Sequence, residues 1–183
     1  MPNVYTPKRN AFAQSSYHDQ QGTALAGEPA FASDLNLIDS FIVGDVGDNG
    51  LEAGLAIVAV PAASARRPGL NELVVTLPPA DATADKIIGV VTRNQQMRTN
   101  TAGHACWFHQ DICNVARSGR SGARIWGRLA DNAQPEPGGA VFVAVGGDNA
   151  GTFASEAGAG FVAVPSMQFA STASDGLALV ELL

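Results

Sequence analysis

Hydrophobic residues recur along most of the chain in short runs separated by turn residues, and this pattern predicts a protein built of β-strands. The runs Leu73–Leu77 and Arg124–Leu129 alternate apolar and polar residues, with the two-residue period of a half-buried strand. Turn residues separate the runs, as in Pro78–Asp81 and Gly146–Asn149. A single helical turn is expected at Ala80–Lys86. The nine expected strands are Leu55–Val60, Leu73–Leu77, Ile87–Arg93, Ile112–Ala116, Arg124–Leu129, Ala140–Val145, Phe161–Val164, Met167–Ala170 and Leu177–Leu182.

This strand pattern predicts an all-β fold, either an antiparallel jelly-roll-like sandwich or a small barrel, with an extended N-terminal arm. Strands spaced by roughly 10–15 residues suit both architectures. Residues 1–50 are expected to form the arm, mostly irregular, because no hydrophobic period persists there. Within the arm, a short strand is expected in Ser33–Val43. Residues 51–183 are expected to form the β-sandwich or barrel domain.

The low content of charged residues predicts that a partner covers part of the protein's surface. Only 15% of the residues are charged, whereas 46% are hydrophobic, so much of the surface is neutral or apolar. The net charge of −6 makes nucleic acid the least suitable partner. No apolar run approaches the roughly 20 residues of a membrane span. Residues 1–10 also lack the apolar segment of a signal peptide.

The basic residues are concentrated in the middle of the chain, and most of them are arginines. Four arginines follow one another closely, and they are Arg117, Arg120, Arg124 and Arg128. The simpler interpretation is that they lie on solvated strand faces and turns. The alternative is that they pair with an acidic surface of a second copy or of another protein.

The segment 104–113 is the densest cluster of metal-ligating residue types. Imidazole and thiolate are preferred zinc ligands, and the candidates are His104, Cys106, His109 and Cys113. Their spacing does not match the paired-knuckle pattern of common zinc sites, and a four-ligand site requires a turn near Trp107 and Phe108. The favoured interpretation is therefore a buried Trp–Phe pair with packed, reduced thiols, and no cofactor is expected.

Motifs that would indicate catalysis are not found in the sequence. It contains no G-x-S-x-G nucleophile elbow, no phosphate-binding loop and no dinucleotide fingerprint. The glycine-rich loop 146–151 is interpreted as a hairpin connection, since glycine and asparagine tolerate the positive φ of tight turns. An enzyme is not expected.

Several segments, taken in order, resemble those of the structural cement, or head decoration, proteins of tailed bacteriophages. The segments that carry the resemblance are Glu52–Val58, Ile88–Arg93, Ala116–Arg120, Ile125–Leu129, Pro137–Val143, Val164–Phe169 and Asp175–Leu182. The loop at 118–123 and the Cys/His-rich segment depart from the pattern of that family.

The resemblance implies a non-enzymatic protein on the outer surface of the virion, present in the host cytoplasm during assembly. Its expected partners are the major capsid protein and further copies of itself, as a dimer or trimer. In this interpretation the arm supplies aromatic anchors, and the arginines supply charged contacts. The expected contact residues are Tyr5, Phe12, Tyr17, Phe31, Arg117, Arg120, Arg124 and Arg128.

The alternative function is a carbohydrate-binding β-sandwich module on the virion surface. Such modules stack sugars on exposed aromatic rings, and the tryptophan candidates are Trp107 and Trp126. Burial is the expectation for Trp126, because it alternates with Ile125 and Gly127 in a strand.

Overall fold

The computed structural model describes residues 25–30, 38–61, 73–118 and 122–183, and the described part is all-β, as predicted. It contains one short 3-10 turn, Ala84–Lys86, within the segment where a helical turn is predicted. In these ranges no helix has the length and apolar character needed to cross a membrane. The strands are β1 (Ile38–Val43), β2 (Leu51–Glu52), β3 (Ala56–Pro61), β4 (Leu73–Thr76), β5 (Ile87–Val91), β6 (Arg98–Thr99), β7 (Ala105–Trp107), β8 (Ile112–Arg117), β9 (Ala123–Arg128), β10 (Ala140–Ala144), β11 (Phe153–Ala154), β12 (Phe161–Phe169) and β13 (Leu177–Leu182).

Five strands close into a small barrel, in the order β1-β4-β3-β5-β8. Every pair is antiparallel except β1 and β4, which run parallel with Ile42 opposite Val74. Each strand contributes a buried side chain to the barrel interior, and these include Val43, Ile57, Val75, Val91 and Val115. Leu51 and Trp107, from a small three-stranded sheet with the order β2-β7-β6, complete this cluster.

The other strands form a five-stranded sheet in the order β11-β10-β12-β13-β9. The sheet curls, because Leu129, directly after β9, forms a parallel bridge with Phe153 of β11 at the opposite edge. Phe153 is fully buried beneath this bridge. Gly127 leaves room for its ring, since a Cβ at that position would lie 2.7 Å from the ring carbons.

The second hydrophobic cluster lies between the barrel and the five-stranded sheet. Ala56, Val58 and Val90 of the barrel pack there with residues of the sheet such as Ile125 and Phe169. Barrel strands β3 and β5 are therefore buried on both faces. Strands of this kind have almost continuous apolar sequences, which explains why the run 55–60 does not alternate.

The structure differs from the predicted strands in two respects. β12 is one nine-residue strand, whereas the sequence predicts two strands separated by Pro165. The proline is accommodated in a bulge, because the pairing of β12 with β10 shifts register between Ala163 and Gln168. Strands β2, β6, β7 and β11 were not predicted, since pairs or triplets of residues are too short to show a period.

The strand anticipated within Ser33–Val43 is present as β1. It pairs with β8 along Ile38–Ile42 and with β4, so it is an integral part of the barrel although it lies within residues 1–50. The assignment of the remainder of residues 1–50 to an arm stays a prediction.

Candidate partner-binding surface

The structure brings together two of the residues predicted to contact partners. Arg124 and Arg128 lie on the same face of β9, because Ala123, Ile125 and Gly127 alternate with them and point into the core. Arg117 ends β8 and belongs to the barrel instead. The remaining predicted contacts lie outside the described residues, and they are Tyr5, Phe12, Tyr17, Phe31 and Arg120.

Each described arginine of this group forms an ion pair with an acidic residue from another strand. The nitrogen–oxygen distances are 3.2 Å from Arg124 to Glu181 of β13 and 3.3 Å from Arg128 to Glu52 of β2. Arg117 lies 3.5 Å from Asp39 of β1. Partly exposed pairs of this kind contribute about 0–1 kcal/mol, so a partner's carboxylate can replace the internal one at little cost.

The Arg124–Glu181 pair is part of a polar network that spans three strands. The side-chain amide of Gln168 on β12 donates a 2.7 Å hydrogen bond to Glu181 Oε2. This hydrogen bond, together with the guanidinium of Arg124, lowers the pKa of Glu181, although partial burial acts in the opposite direction. Glu181 is consequently ionised at neutral pH and holds Arg124 in place.

Half-buried apolar side chains lie between the two arginines. Trp126 is directly opposite Leu179 of β13, and Leu177 is opposite Arg128. The predicted burial of Trp126 is wrong, because strand alternation turns Ile125 and Gly127 inward and leaves Trp126 on the outer side. We call this surface the β9 face, and it consists of Arg124, Trp126, Arg128, Leu177, Leu179 and Glu181. Tryptophan and arginine are the residue types enriched at the energetic centres of protein interfaces.

The segment 25–30, which belongs to the predicted arm, runs along the edge of β9. Its backbone pairs with the strand, since Gly27 N donates to Trp126 O at 2.7 Å and Trp126 N donates to Glu28 O at 3.0 Å. Ala30 N donates to Arg124 O at 2.8 Å. This segment therefore protects an edge that would otherwise present unpaired backbone groups. Residues 25–30 are thus the part of the predicted arm that the structure describes, and they lie beside the β9 face.

Gly27 fits this position in a way that other residues do not. Its φ of +77° lies in the left-handed region, and its carbonyl accepts a 2.7 Å hydrogen bond from Arg93 N. A Cβ added to Gly27 would lie 2.8 Å from both the Cβ of Ala53 and the carbonyl oxygen of Val91. The base of the predicted arm is thus held against the barrel as well as against β9.

A polar cleft of about 630 Å³ lies next to the β9 face and is lined by Glu52, His104, Arg128 and several carboxylates. Glu52 Oε1 accepts a 2.9 Å hydrogen bond from the Asn100 amide and lies 2.9 Å from His104 Nδ1. Asn100 also accepts a hydrogen bond from the backbone N–H of His104. These contacts give His104 and Glu52 a structural role, joining β2 to the loop before β7.

The cysteine and histidine cluster is divided between different parts of the fold. A turn at Phe108–Asp111, in which Gln110 has a φ of +67°, separates β7 from β8. Cys106 and Cys113 are buried free thiols, and His109 is exposed. Burial raises the pKa of Cys106, and it raises the pKa of Cys113 to about 12. Within the described residues, no three histidine, cysteine or acidic side chains are arranged to hold a metal ion.

The two tryptophans differ in their suitability as a sugar platform. Trp107 is only 4% exposed and packs in the barrel cluster, as the favoured interpretation of its segment predicts. Its indole Nε1 has no hydrogen-bond partner among the described residues. Trp126 alone offers part of its ring to the outside, between a leucine and two arginines.

A β-barrel fused to a curled sheet, with a half-buried apolar and arginine-flanked outer face, is suited to binding other proteins. The chain matches the family described as structural cement protein (E217 gp24/Pam3 gp6) over residues 13–183. It therefore belongs to this family of phage structural proteins, and the predicted family is confirmed. Membership makes it a structural protein of the phage virion.

A solved structure shows the same fold. The chain is similar to a chain of "The capsid of Myoviridae Phage XM1", with a TM-score of 0.61 and 19% identity. The similarity covers 94% of this chain and 97% of that chain. A comparison with curated protein sequences gave no match.

Proposed function

We propose that the chain is a non-enzymatic decoration protein that binds the outer surface of a phage head and stabilises contacts between major capsid subunits. The observation that carries this proposal is the family match over residues 13–183. The geometry supports it, since the β9 face has the composition of a protein-binding surface.

The β9 face is the proposed contact with the major capsid protein. Trp126 and Leu179 supply an apolar centre, and burying such a centre is the usual source of affinity at a protein interface. Arg124 at 3.2 Å from Glu181 is oriented and partly exposed, so it can exchange its internal partner for a carboxylate on the capsid. The proposed capsid surface is therefore apolar at its centre and acidic at its margin.

The arm is the proposed second contact with the capsid. Its described part, residues 25–30, is hydrogen-bonded along β9 beside the proposed capsid contact. Residues 1–24 could reach about 80 Å from residue 25 if fully extended, so in this proposal they are long enough to contact a surface beyond the β9 face. Tyr5, Phe12 and Tyr17 in this segment, and Phe31 after it, are the proposed apolar anchors.

Several further properties belong to the same proposal. The protein acts without a cofactor, binds copies of itself as a dimer or trimer, and does not bind nucleic acid or membranes. It is made in the host cytoplasm and joins the head during assembly. Weak individual contacts suffice, since many copies bind one lattice and each bound contact raises the effective concentration of the next.

Co-sedimentation with capsids that lack the protein tests the proposal. The wild-type chain should bind saturably, with a copy number that matches the symmetry of the lattice. Trp126→Ala should weaken binding by about 30-fold, the loss expected for an interface hot spot of ~2 kcal/mol. Deletion of residues 1–24 should weaken it as well. Phe142→Ala is the matched control, because Phe142 is a half-buried aromatic residue of the same sheet that lies outside the β9 face.

The outcomes separate the parts of the proposal. Absence of saturable binding by the wild-type chain would refute the decoration role. Full binding by Trp126→Ala would remove the β9 face from the interface, and full binding by the deletion variant would remove the arm.

A further inference from the structure

Two turns with almost the same sequence line the polar cleft. Residues 47–50, between β1 and β2, have the sequence G-D-N-G, and residues 147–150, between β10 and β11, have the sequence G-D-N-A. In each turn the backbone N–H of the last residue donates to the carbonyl of the first, at 3.4 Å and 3.3 Å respectively. Asn49 and Asn149 are both exposed, and both contribute to the lining of the cleft.

The two asparagines have closely matched surroundings. The first glycine of each turn has a positive φ, +66° in one turn and +69° in the other. The backbone carbonyl of Asn49 accepts a 3.1 Å hydrogen bond from the Asn100 side chain, and that of Asn149 accepts a 3.1 Å hydrogen bond from Thr152 N. Neither asparagine side chain forms a hydrogen bond with another residue in the part of the chain that the structure describes. Both side-chain amides are therefore available to react.

The turns differ in the residue that follows the asparagine. Gly50 has a φ of +72°, and a Cβ there would lie 2.9 Å from the carbonyl oxygen of Trp107, so the fold requires a glycine at this position. Ala150 instead carries a buried methyl group. A side chain on the residue after an asparagine hinders the approach of that residue's backbone nitrogen to the asparagine side chain. Of the two asparagines, Asn49 is therefore the one with an unhindered neighbouring nitrogen.

We infer that Asn49 is a site of spontaneous deamidation. The backbone nitrogen of Gly50 attacks the side-chain carbonyl carbon of Asn49, and the new C–N bond closes a five-membered succinimide ring. The C–N bond of the side-chain amide breaks, and its nitrogen leaves as ammonia together with the proton from Gly50 N. Water then opens the ring at one of its two carbonyls, which yields aspartate or isoaspartate.

The local structure permits this reaction in the folded chain. Before it attacks, the nitrogen of Gly50 must release the carbonyl of Gly47. This hydrogen bond, at 3.4 Å, is longer than the ~2.7–3.2 Å of well-formed N–H···O bonds, so it opposes the motion only weakly. Because Asn49 is exposed at the cleft, water is at hand to accept the proton and to hydrolyse the ring.

The product changes the network that holds Arg128 at one end of the β9 face. The Asn100 side-chain amide donates to Asn49 O at 3.1 Å and to Glu52 Oε1 at 2.9 Å. Glu52 Oε2 in turn lies 3.3 Å from Arg128 Nε. Isoaspartate adds one methylene group to the main chain shortly before Leu51, the fully buried first residue of β2. Deamidation should therefore loosen the loop around Asn100 and, through Glu52, the position of Arg128.

Peptide mass spectrometry of the full chain, incubated at pH 8 and 37 °C, tests the inference, with unincubated protein as the baseline. Chymotrypsin cleaves after large hydrophobic residues and so places the two turns on separate peptides. The peptide with Asn49 should gain one mass unit and separate into aspartate and isoaspartate forms. Asn149 is the control within the same molecule. Asn49 should react at least about tenfold faster, which corresponds to a barrier difference of ~1.4 kcal/mol.

Two variants test the role of the neighbouring residue. Ala150→Gly removes the hindering methyl group, so it should accelerate the deamidation of Asn149 several-fold. Asn49→Gln should abolish the reaction in the first turn, because the longer side chain must close a six-membered ring. Circular dichroism establishes that both variants are folded.

Hydrogen exchange measures the structural consequence. The backbone N–H groups of Ala102 and His104 donate to Asn100 Oδ1 at 3.1 Å and 2.9 Å. Both should exchange faster in incubated wild-type protein than in fresh protein, whereas incubation of Asn49→Gln should leave their exchange unchanged.

The outcomes decide the inference without any capsid, so they are independent of the proposed function. An Asn49 that stays intact in the native chain overturns the inference, even if it reacts in urea. Equal rates at Asn49 and Asn149 overturn it as well, as does an Asn149 that reacts no faster in Ala150→Gly.

Discussion

Replacing Gly27 by alanine should detach the segment 25–30 from the domain. The φ of +77° at this position costs a residue with a side chain about 1–2 kcal/mol. The new Cβ would also lie 2.8 Å from Val91 O and 2.9 Å from Arg93 N, and neither backbone atom can move without disturbing the barrel. The segment must therefore move instead.

The free energy of unfolding can fall by no more than the amount that the segment 25–30 contributes to it. Four backbone hydrogen bonds join Gly27, Glu28 and Ala30 to the domain, and at about 0.5–1.5 kcal/mol each they amount to ~2–6 kcal/mol. The conformational entropy that the freed residues regain offsets part of this sum. We expect the free energy of unfolding to fall by about 2–4 kcal/mol.

Urea denaturation followed by tryptophan fluorescence measures that loss, and hydrogen exchange locates it. The backbone N–H groups of Arg93 and Trp126 donate to the segment, so both should exchange faster in Gly27→Ala. Gly47→Ala is the matched control, because Gly47 has a similar φ of +66° but open space around it. It should lose only about 1 kcal/mol. Equal losses in the two variants, with unchanged exchange at Arg93 and Trp126, would refute the reasoning.

Three further predictions concern the core, the thiols and the acid stability. Gly89→Ala should destabilise the protein by more than ~3 kcal/mol in chemical denaturation, because the new Cβ meets a backbone carbonyl of β8 inside a closed barrel; a loss below about 1 kcal/mol would contradict this packing. Cys106 and Cys113 should not react with a thiol-specific disulfide reagent at pH 8 until urea unfolds the chain, since burial keeps both protonated; fast labelling of native protein would exclude this environment. The pKa of Glu181 lies below its ordinary value of 4.5, so its ionised form stabilises the fold above that pH and this stabilisation is lost as the pH falls through the lowered pKa. Glu181→Gln should therefore be less stable at pH 7 and should lose less stability on acidification, and a pH profile parallel to that of the wild type would argue against it.

The strand content was largely predictable, because it depends on local patterns that the sequence shows directly. β9 and β13 alternate buried and half-buried residues over six positions each, and both were predicted within a residue or so. β12 was not predicted as one strand, since a bulge that accommodates Pro165 is a tertiary arrangement. The parallel pairing of β1 with β4 could not be predicted either, because the two strands are about 30 residues apart and no local sequence pattern indicates that they pair.

The candidate site was predictable only in part. The alternation of β9 was predicted, and in the structure it puts Arg124 and Arg128 on one face, a placement that was not itself predicted. Their partners Glu181 and Glu52 come from distant strands, so the ion pairs follow from the topology alone. The register that puts Ile42 opposite both Val74 and Ile112 was missed for the same reason, since the three residues come from separate segments.

The double burial of β3 and β5 has a mechanical consequence. These strands contribute side chains to the barrel interior on one side and to the core shared with the five-stranded sheet on the other, so the two halves are joined by a continuous layer of packed side chains. Bending one half against the other would separate packed side chains such as Val58 and Phe169 and expose them to water. We therefore expect the described barrel and sheet to resist bending against each other, so that a force applied to the outer sheet is passed to the barrel.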